Sequence, residues 1–208
     1  MKKIFLTLVI AVVAVSTTYA YFPEFTYQGE VNLGFATGGK VKYKGVSGKS
    51  SLNRPFIETI HGFGISKYGF LGLGFGVQGY LGAADKANPA EKWNTLALPL
   101  FVNVRGIWPV EELNPYVSAS FGYAFIPCSA RNSSVSFGNS TMISKLTGGF
   151  YCDCGVGVKL MDKINIGLGM QHQRMGTMAI FKQDYSTEKS RDKGMHGTSF
   201  YIKVGYCW

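Results

Sequence analysis

The 208-residue chain has 21 lysine and arginine residues against 12 aspartate and glutamate residues, and a formal net charge of +9. Charged residues make up only 16% of it, against ~25% in ordinary soluble domains. After residue 20 no apolar run approaches the ~18 residues of a membrane helix, which excludes a helical membrane protein.

The first twenty residues have the pattern of a secretory signal peptide. Two lysines precede an apolar stretch at residues 4–15, and Thr18-Tyr19-Ala20 places small residues before a cleavage site. A retained anchor is the weaker alternative, because the stretch is shorter than the ~20 residues that cross a membrane. We therefore expect a signal peptide at residues 1–20 and one exported domain at residues 21–208. An exported domain is not expected to bind nucleic acid.

Eight segments of the exported domain alternate between bulky apolar residues and small or polar ones, which is the period of a β-strand. The predicted strands cover residues 25–37, 55–66, 68–82, 95–106, 115–126, 147–160, 164–174 and 200–208. In the second strand we place Ile57, Phe63 and Ile65 outward, which puts Glu58 inward but leaves His61 on the outer face. Glycines at alternate positions of the third strand indicate a narrow interior, where they leave room for long polar side chains from the opposite wall.

The connections between these strands alternate between long and short. The long ones cover residues 38–54, 83–94, 127–146 and 177–197, and the short ones lie near residues 66–67, 107–114 and 161–163. Short turns at one end and long loops at the other are typical of outer-membrane barrels. A secreted β-sandwich is the alternative, but its bulky residues would form the core instead of facing outward in nearly every strand. The sequence predicts an all-β, eight-stranded antiparallel transmembrane β-barrel, present as a monomer.

Three parts of the chain resemble the small outer-membrane β-barrel family, of the OmpX-like or OmpA-like kind. They are residues 58–76, residues 100–105 with the following Pro115-Tyr116, and the closing strand. The closing strand resembles the signal read by the barrel assembly machinery, through Phe200, Ile202, Val204, Tyr206 and Trp208. The resemblance implies the outer membrane of a Gram-negative bacterium, with membrane lipid and lipopolysaccharide as surroundings. It does not imply an activity, because one fold serves many functions.

Six charged side chains are predicted to point into the barrel: Glu30, Glu58, Arg105, Asp153, Lys159 and Lys203. Buried charges must be paired, so we expect a salt-bridge network that plugs the interior. Lys203 is a predicted partner for Glu30, Glu58 or Asp153. The alternative is that these residues line a path for an ion or a substrate.

The first long connection contains five basic residues and no acidic one: Lys40, Lys42, Lys44, Lys49 and Arg54. The alternating lysines of residues 40–44 predict a strand hairpin that rises above the membrane. Lipopolysaccharide phosphates lie at that height and would attract basic side chains. A solvated basic loop is the alternative. In contrast, the last long connection is of mixed charge and is expected to be a mobile loop.

The sequence supports no catalytic, cofactor-binding or metal-binding assignment. A hydrolytic site requires a histidine with a nucleophile and a carboxylate. Of His61, His172 and His196, only His196 has both kinds of residue close in sequence, Thr198 and Asp192, and closeness in sequence alone does not make a site. We therefore predict a non-enzymatic membrane platform that displays surface loops for interaction or envelope integrity. A narrow porin-like channel is one alternative function, and an enzyme that modifies lipid A is a less favoured one.

The four cysteines lack the paired spacing of a metal site. They are Cys128, Cys152, Cys154 and Cys207. We interpret them as small apolar residues that face lipid. A disulfide between Cys128 and a strand cysteine is the alternative, because disulfides persist in exported proteins.

Overall fold

The fold was analysed in a computed structural model of the chain. The structure describes residues 25–38, 41–43, 46–48, 53–85, 88–110, 112–127, 134–137, 140–183 and 186–208. The predicted signal peptide lies outside these residues. Within the described ranges no helix is long and apolar enough to cross a membrane.

The described segments form twelve strands, and every strand pairing is antiparallel. They are β1 (Phe25–Thr37), β2 (Val41–Tyr43), β3 (Val46–Gly48), β4 (Arg54–Ile65), β5 (Gly69–Asp85), β6 (Asn88–Ile107), β7 (Leu113–Phe125), β8 (Ser134–Phe137), β9 (Ser140–Thr147), β10 (Gly149–Leu160), β11 (Ile164–Gln183) and β12 (Ser186–Cys207).

Eight of these strands close into a barrel. Their order around the ring is β1, β4, β5, β6, β7, β10, β11 and β12, and β12 pairs back onto β1. The closing register runs from Glu30 opposite Cys207 to Thr37 opposite Phe200. The prediction of an all-β, eight-stranded antiparallel barrel is therefore confirmed.

Four short strands lie outside the ring and belong to the long connections. The β2–β3 hairpin, which the alternating lysines predicted, meets β12 where Lys42 lies opposite His196. The β8–β9 hairpin continues the sheet beside β11. We call this end of the barrel the loop end. The opposite end, which carries the tight turns at residues 66–68 and 161–163, is the turn end.

Two of the predicted loops are continuations of strands. The strands β5, β6, β11 and β12 are 17, 20, 20 and 22 residues long, whereas ~9–11 residues cross a bilayer. Residues 83–94 and 177–197 therefore lie largely in hairpins at the loop end, and the prediction of a mobile loop at 177–197 was wrong. Cross-strand pairing continues to Gln183 opposite Ser186, so the two strands satisfy each other's backbone groups even where the sequence no longer alternates.

The outer surface of the barrel is a belt of large apolar side chains. Leu33 is 63% exposed, Leu73 is 64% exposed and Leu168 is 59% exposed. The alternate residues of the same strands are mostly polar or small and are buried inside. Such an exterior suits the hydrocarbon of a membrane, and a closed ring leaves no strand edge unpaired within it.

His61 lies on the outer face, as the chosen phase of the second predicted strand requires. The hydroxyl of Tyr27 lies 2.6 Å from its Nδ1, and the hydroxyl of Thr59 lies 2.9 Å from its Nε2. The Trp208 ring is 5.9 Å away, centroid to centroid. A polar ring is tolerated there because both nitrogens have partners and the site is near the turn end.

Cys207 does not face lipid. It is buried inside the barrel, and its Sγ is 3.7 Å from Oε2 of Glu30. It has the same strand parity as Lys203, which is also buried inside the barrel. Cys154 is exposed on the outer face and Cys152 is half-buried, and all three thiols are free. Cys128 lies outside the described residues.

A charge placed in the middle of the belt tests the membrane-facing surface. We expect Leu168→Arg to lower the free energy of unfolding by about 2–4 kcal/mol, because its side chain lies midway along the crossing part of β11. Tyr68→Arg is the matched control: Tyr68 is similarly exposed, but it lies in a turn, where the expected cost is ~0–1 kcal/mol. Urea unfolding in phospholipid vesicles measures both, and equal costs would contradict a lipid-facing belt.

Candidate functional site

The interior of the barrel contains two buried ion pairs. Arg105 on β6 holds Glu30 on β1 through both guanidinium ends: Nη1 donates to Oε2 at 2.5 Å, and Nη2 donates to Oε1. On β12, Lys203 Nζ donates to Oε1 of Glu58 at 2.7 Å. Each pair joins strands that are not neighbours in the ring. Each pair therefore links two parts of the wall that strand pairing does not join directly.

Asn32 joins the two ion pairs into one network. Its Nδ2 donates to Oε1 of Glu30 at 2.7 Å and to Oε1 of Glu58 at 3.2 Å. Its Oδ1 accepts from Nδ2 of Asn165 at 3.0 Å, and Oδ1 of Asn165 accepts from the Tyr116 hydroxyl at 2.7 Å. Asn32 was not among the predicted site residues. Strand parity, which puts it on the same inward face of β1 as Glu30, is the signal that could have shown it.

Arg105 is contacted on its remaining sides as well. Its Nε donates to Oδ1 of Asn103 at 2.8 Å, and Nδ2 of Asn103 donates to Oγ of Ser120 at 2.9 Å. Its Cζ lies 5.1 Å from the Phe70 ring centroid and 5.2 Å from that of Tyr116. Such cation–π contacts stabilise a desolvated guanidinium. Arg105 is thus held in one position by acid, amide and aromatic groups together.

Asp153 and Lys159, predicted members of the salt-bridge network, lie inside the barrel without an ion pair. The Asp153 carboxylate accepts from the hydroxyls of Tyr151, at 3.0 Å, and Tyr201, at 3.4 Å. Lys159 Nζ donates to Oε1 of Gln28 at 3.2 Å and lies 5.8 Å from the Phe70 ring. Within the described residues no oppositely charged group is within 4.0 Å of either. Neutral hydrogen bonds take the place of the predicted partners.

Large side chains fill the space left by inward glycines. The Phe56 ring lies against Gly34, and the Phe101 ring lies against Gly74, so closely that a Cβ at either glycine would overlap it. The interior is narrow, as the glycines indicated, but aromatic rings occupy the space that was expected to take long polar side chains. A buried apolar cluster completes the filling: Ile60, Phe70, Phe101, Ala124 and Tyr151.

The predicted lipopolysaccharide-binding residues divide into two groups. Lys40, Lys44 and Lys49 lie outside the described residues, and for Lys42 only the backbone position in β2 is described. Arg54 does not belong with them, because it opens β4, points into the barrel and is 1% exposed. Its position follows from strand parity: Arg54 is on the same face of β4 as Glu58. The expectation that it contacts lipopolysaccharide is therefore corrected.

The predicted assembly-signal residues form one outward row on β12. All are more than a third exposed: Phe200, Ile202, Val204, Tyr206 and Trp208. In the finished barrel this strand pairs with β11 on one side and β1 on the other. The row is therefore part of the apolar belt at the closing seam.

Two histidines meet at the loop end of the outer surface. His172 Nδ1 lies 2.9 Å from the Thr198 hydroxyl, and the His172 and His196 rings are 6.0 Å apart, centroid to centroid. Sequence reasoning had linked Thr198 to His196, whereas the structure pairs it with His172. Among the described residues no group of three metal-ligating side chains is found.

Comparison with known proteins does not assign this chain to a family. No family model matches the sequence, and no curated protein does. Among solved structures the chain is similar to Neisserial surface protein A at 13% identity (TM-score 0.46), over 86% of this chain and 96% of that one. The outer membrane protein OprG from Pseudomonas aeruginosa is 12% identical (TM-score 0.49), over 89% and 98% of the two chains. The outer membrane protein AlkL is 12% identical (TM-score 0.48), over 91% and 93%.

Because all three TM-scores are below 0.5, neither the architecture nor the activity of these proteins is transferred to this chain. The barrel itself is established by its closed ring of strand pairs.

Replacing one partner of the Glu30–Arg105 pair tests how much the stability of the barrel depends on this ion pair. We expect Glu30→Gln and Arg105→Met each to lower the free energy of unfolding by about 3–5 kcal/mol, because each leaves a buried charge alone. The double variant should lose less than the sum, since no lone charge remains. Urea unfolding in vesicles provides the measurement.

Lys159→Met is the control for this cycle. It removes a buried cation whose hydrogen-bond partner is the neutral amide of Gln28, so about 1 kcal/mol or less should be lost. Strict additivity of the two single changes, or an equal cost at Lys159, would show that Glu30 and Arg105 are not coupled.

Proposed function

We propose that this protein is a monomeric outer-membrane barrel of a Gram-negative bacterium that acts as a non-enzymatic platform. It is exported with a cleaved signal peptide and inserted by the barrel assembly machinery through its closing strand. Its loop end then displays hairpins for surface interaction or envelope integrity. The filled interior carries this proposal, because a barrel closed by its own side chains offers its outer surface and its ends for binding.

Two layers of interior contacts argue against a wide pore. The Glu30–Arg105 and Glu58–Lys203 pairs bridge the interior, and Asn32 joins them. The apolar cluster around Phe101 fills a further part of the interior. An eight-stranded ring has room for side chains and little more. Ion passage would require these pairs to open, at the cost of leaving buried charges uncompensated.

The loop end is the part of the platform proposed to meet the cell surface. Lys40, Lys42, Lys44 and Lys49 come from a hairpin without an acidic residue. Lipopolysaccharide phosphates attract such side chains, at about 1 kcal/mol for each basic residue near an anionic surface. Membrane lipid around the belt and lipopolysaccharide at this hairpin are the proposed partners.

The pair of His172 and Thr198 is the observation that most favours the enzymatic alternative. A histidine 2.9 Å from a hydroxyl resembles a base with its nucleophile. The pair, however, has no described carboxylate bonded to the other imidazole nitrogen, which a hydrolytic site uses to orient its histidine. We therefore assign no catalytic role to it.

Planar-bilayer recordings test the filled interior. We expect the refolded full-length barrel, inserted at single-molecule density, to give no large and steady conductance, because the ion pairs and aromatic rings block the path. A detergent-only addition is the blank, heat-sensitive gel mobility shows that the added barrel is folded, and flotation with liposomes of the same lipid shows that it inserts. A stable open level in every inserted molecule would contradict the proposal and favour the pore.

Neutralising the basic hairpin tests the surface partner. The fourfold variant with Lys40, Lys42, Lys44 and Lys49 changed to Gln should bind lipopolysaccharide more weakly, with the difference shrinking as salt is raised. The control neutralises the same number of cations in the last hairpin: Lys182, Lys189, Arg191 and Lys193. Co-sedimentation with lipopolysaccharide vesicles measures both variants. Equal weakening in the two would show that net charge, and not this hairpin, accounts for the binding.

A further inference from the structure

Arg54 is unlike the other buried arginine of the barrel. Arg105 has its own carboxylate, whereas in the described part of the chain no acidic group lies within 4.0 Å of Arg54. Its Nε and Nη2 both donate to one neutral atom, Oε1 of Gln171, at 3.1 and 2.5 Å, and its Cζ lies 5.0 Å from the Tyr80 ring. A guanidinium is always charged and has five N–H donors. Arg54 is thus a buried cation with donors to spare and no counter-charge.

The acidic residue closest by strand register is already occupied. Asp153 lies opposite Gln171 in the β10–β11 pairing, but its carboxylate accepts from the hydroxyls of Tyr151 and Tyr201. The Glu58 carboxylate is bound to Lys203. Counting the buried charged side chains of the described interior, four cations face three carboxylates. Two of these cations, Arg54 and Lys159, have no ion pair. Lys159 lies near the turn end, so Arg54 is the unpaired buried cation at the loop end.

Three more buried polar atoms around Arg54 have no hydrogen-bond partner. They are Oε1 of Gln78, Nε2 of Gln173 and Oγ of Ser199, on residues that are at most 1% exposed. Gln78 lies opposite Phe56, the inward residue after Arg54, and Ser199 lies opposite Gln171. Gln173 accepts from the hydroxyl of Tyr80, the ring beside Arg54. Since buried polar groups nearly always have partners, a cluster of unpartnered ones indicates a ligand.

We propose that Arg54, Gln173 and Ser199 form a binding site for a small oxyanion, a carboxylate or a phosphate group, at the loop end of the barrel interior. The oxyanion supplies the missing negative charge to Arg54. It also accepts from Nε2 of Gln173 and the hydroxyl of Ser199. Rotating the side-chain amide of Gln78 by 180° places its Nε2 where Oε1 now lies, and this group then donates to the oxyanion as well. Gln171 and Tyr80 position Arg54.

The residues beneath the site limit how far an anion can enter. Phe56 and Tyr201 meet edge to face at 6.1 Å between centroids, and together with Ala36 they form a buried apolar cluster. The carboxylates of Glu58 and Asp153 border the same part of the interior as Phe56 and Tyr201, and they repel a second negative charge. A ligand therefore enters from the loop end and stops beside Arg54, so the site binds a terminal acidic group without opening a channel. This site goes beyond the platform role and does not depend on it.

Anion-dependent stability of the refolded full-length barrel tests the site. Inorganic phosphate, methyl phosphate and acetate are titrated at constant ionic strength against chloride, and the urea midpoint of unfolding is followed in detergent micelles. A bound oxyanion should raise the midpoint saturably with concentration. The Nε resonance of Arg54, assigned by its loss in Arg54→Lys, should shift over the same range. If only acetate raises the urea midpoint, the ligand is a carboxylate. If only the two phosphates raise it, the ligand is a phosphate group.

The variants separate a specific site from a general effect of charge. Arg54→Gln should abolish the response, and Ser199→Ala should weaken anion affinity by about tenfold, because one hydrogen bond to a charged group is lost. Lys159→Gln, which removes a cation at the turn end, should respond like the native chain. Direct calorimetry on the native barrel gives the answer even if Arg54→Gln does not fold. Absence of a saturable response in the native barrel, or a response that survives Arg54→Gln or is lost in Lys159→Gln, would overturn the proposal.

Discussion

The pairing of the first strand with the last is the constraint on which the rest of the structure depends. Inside a membrane every backbone N–H and C=O must be bonded within the protein, and an open sheet edge leaves a row of them unsatisfied. The register of β1 on β12, from Glu30 opposite Cys207 onward, removes both edges at once. It also determines which residues face each other inside. The same closure that satisfies the backbone therefore creates the problem of filling a narrow polar interior.

The side chains inside the barrel fill this space because they are complementary in size and in charge. Glycines on one strand face aromatic rings from another, as Gly34 does with Phe56. The charged groups are few, and those in the middle of the barrel are matched across it by Arg105 and Lys203. Because each ion pair joins strands that do not pair with each other, it holds the wall in one shape as well as neutralising charge. Rigidity of the barrel and closure of its interior thus have the same physical cause.

Strand parity explains which parts of this arrangement were predictable from the sequence. Alternation placed Glu30, Glu58, Arg105 and Lys203 inside before any contact was known. The same parity would have placed Arg54 inside, had the second strand been started one residue earlier. The choice among acids for Lys203 was not predictable, because it depends on the stagger of strands around the ring. The long hairpin of β11 and β12 was missed because strands beyond the membrane no longer need an apolar face.

Ion-paired side chains and the unpaired Arg54 lie in different parts of the barrel. The ion-paired part supports the wall, and the part around Arg54 is available for binding. In the middle of the barrel, acids, cations and amides satisfy one another, and Asn32 leaves neither ion pair independent of the other. At the loop end Arg54 is balanced only by an amide and a ring. A buried cation without an acid costs stability. The remainder of the interior is stable enough to tolerate that cost, and the end with uncommitted donors is the one that also carries the long hairpins. The chemistry available for a partner is therefore concentrated where the chain extends farthest from the membrane.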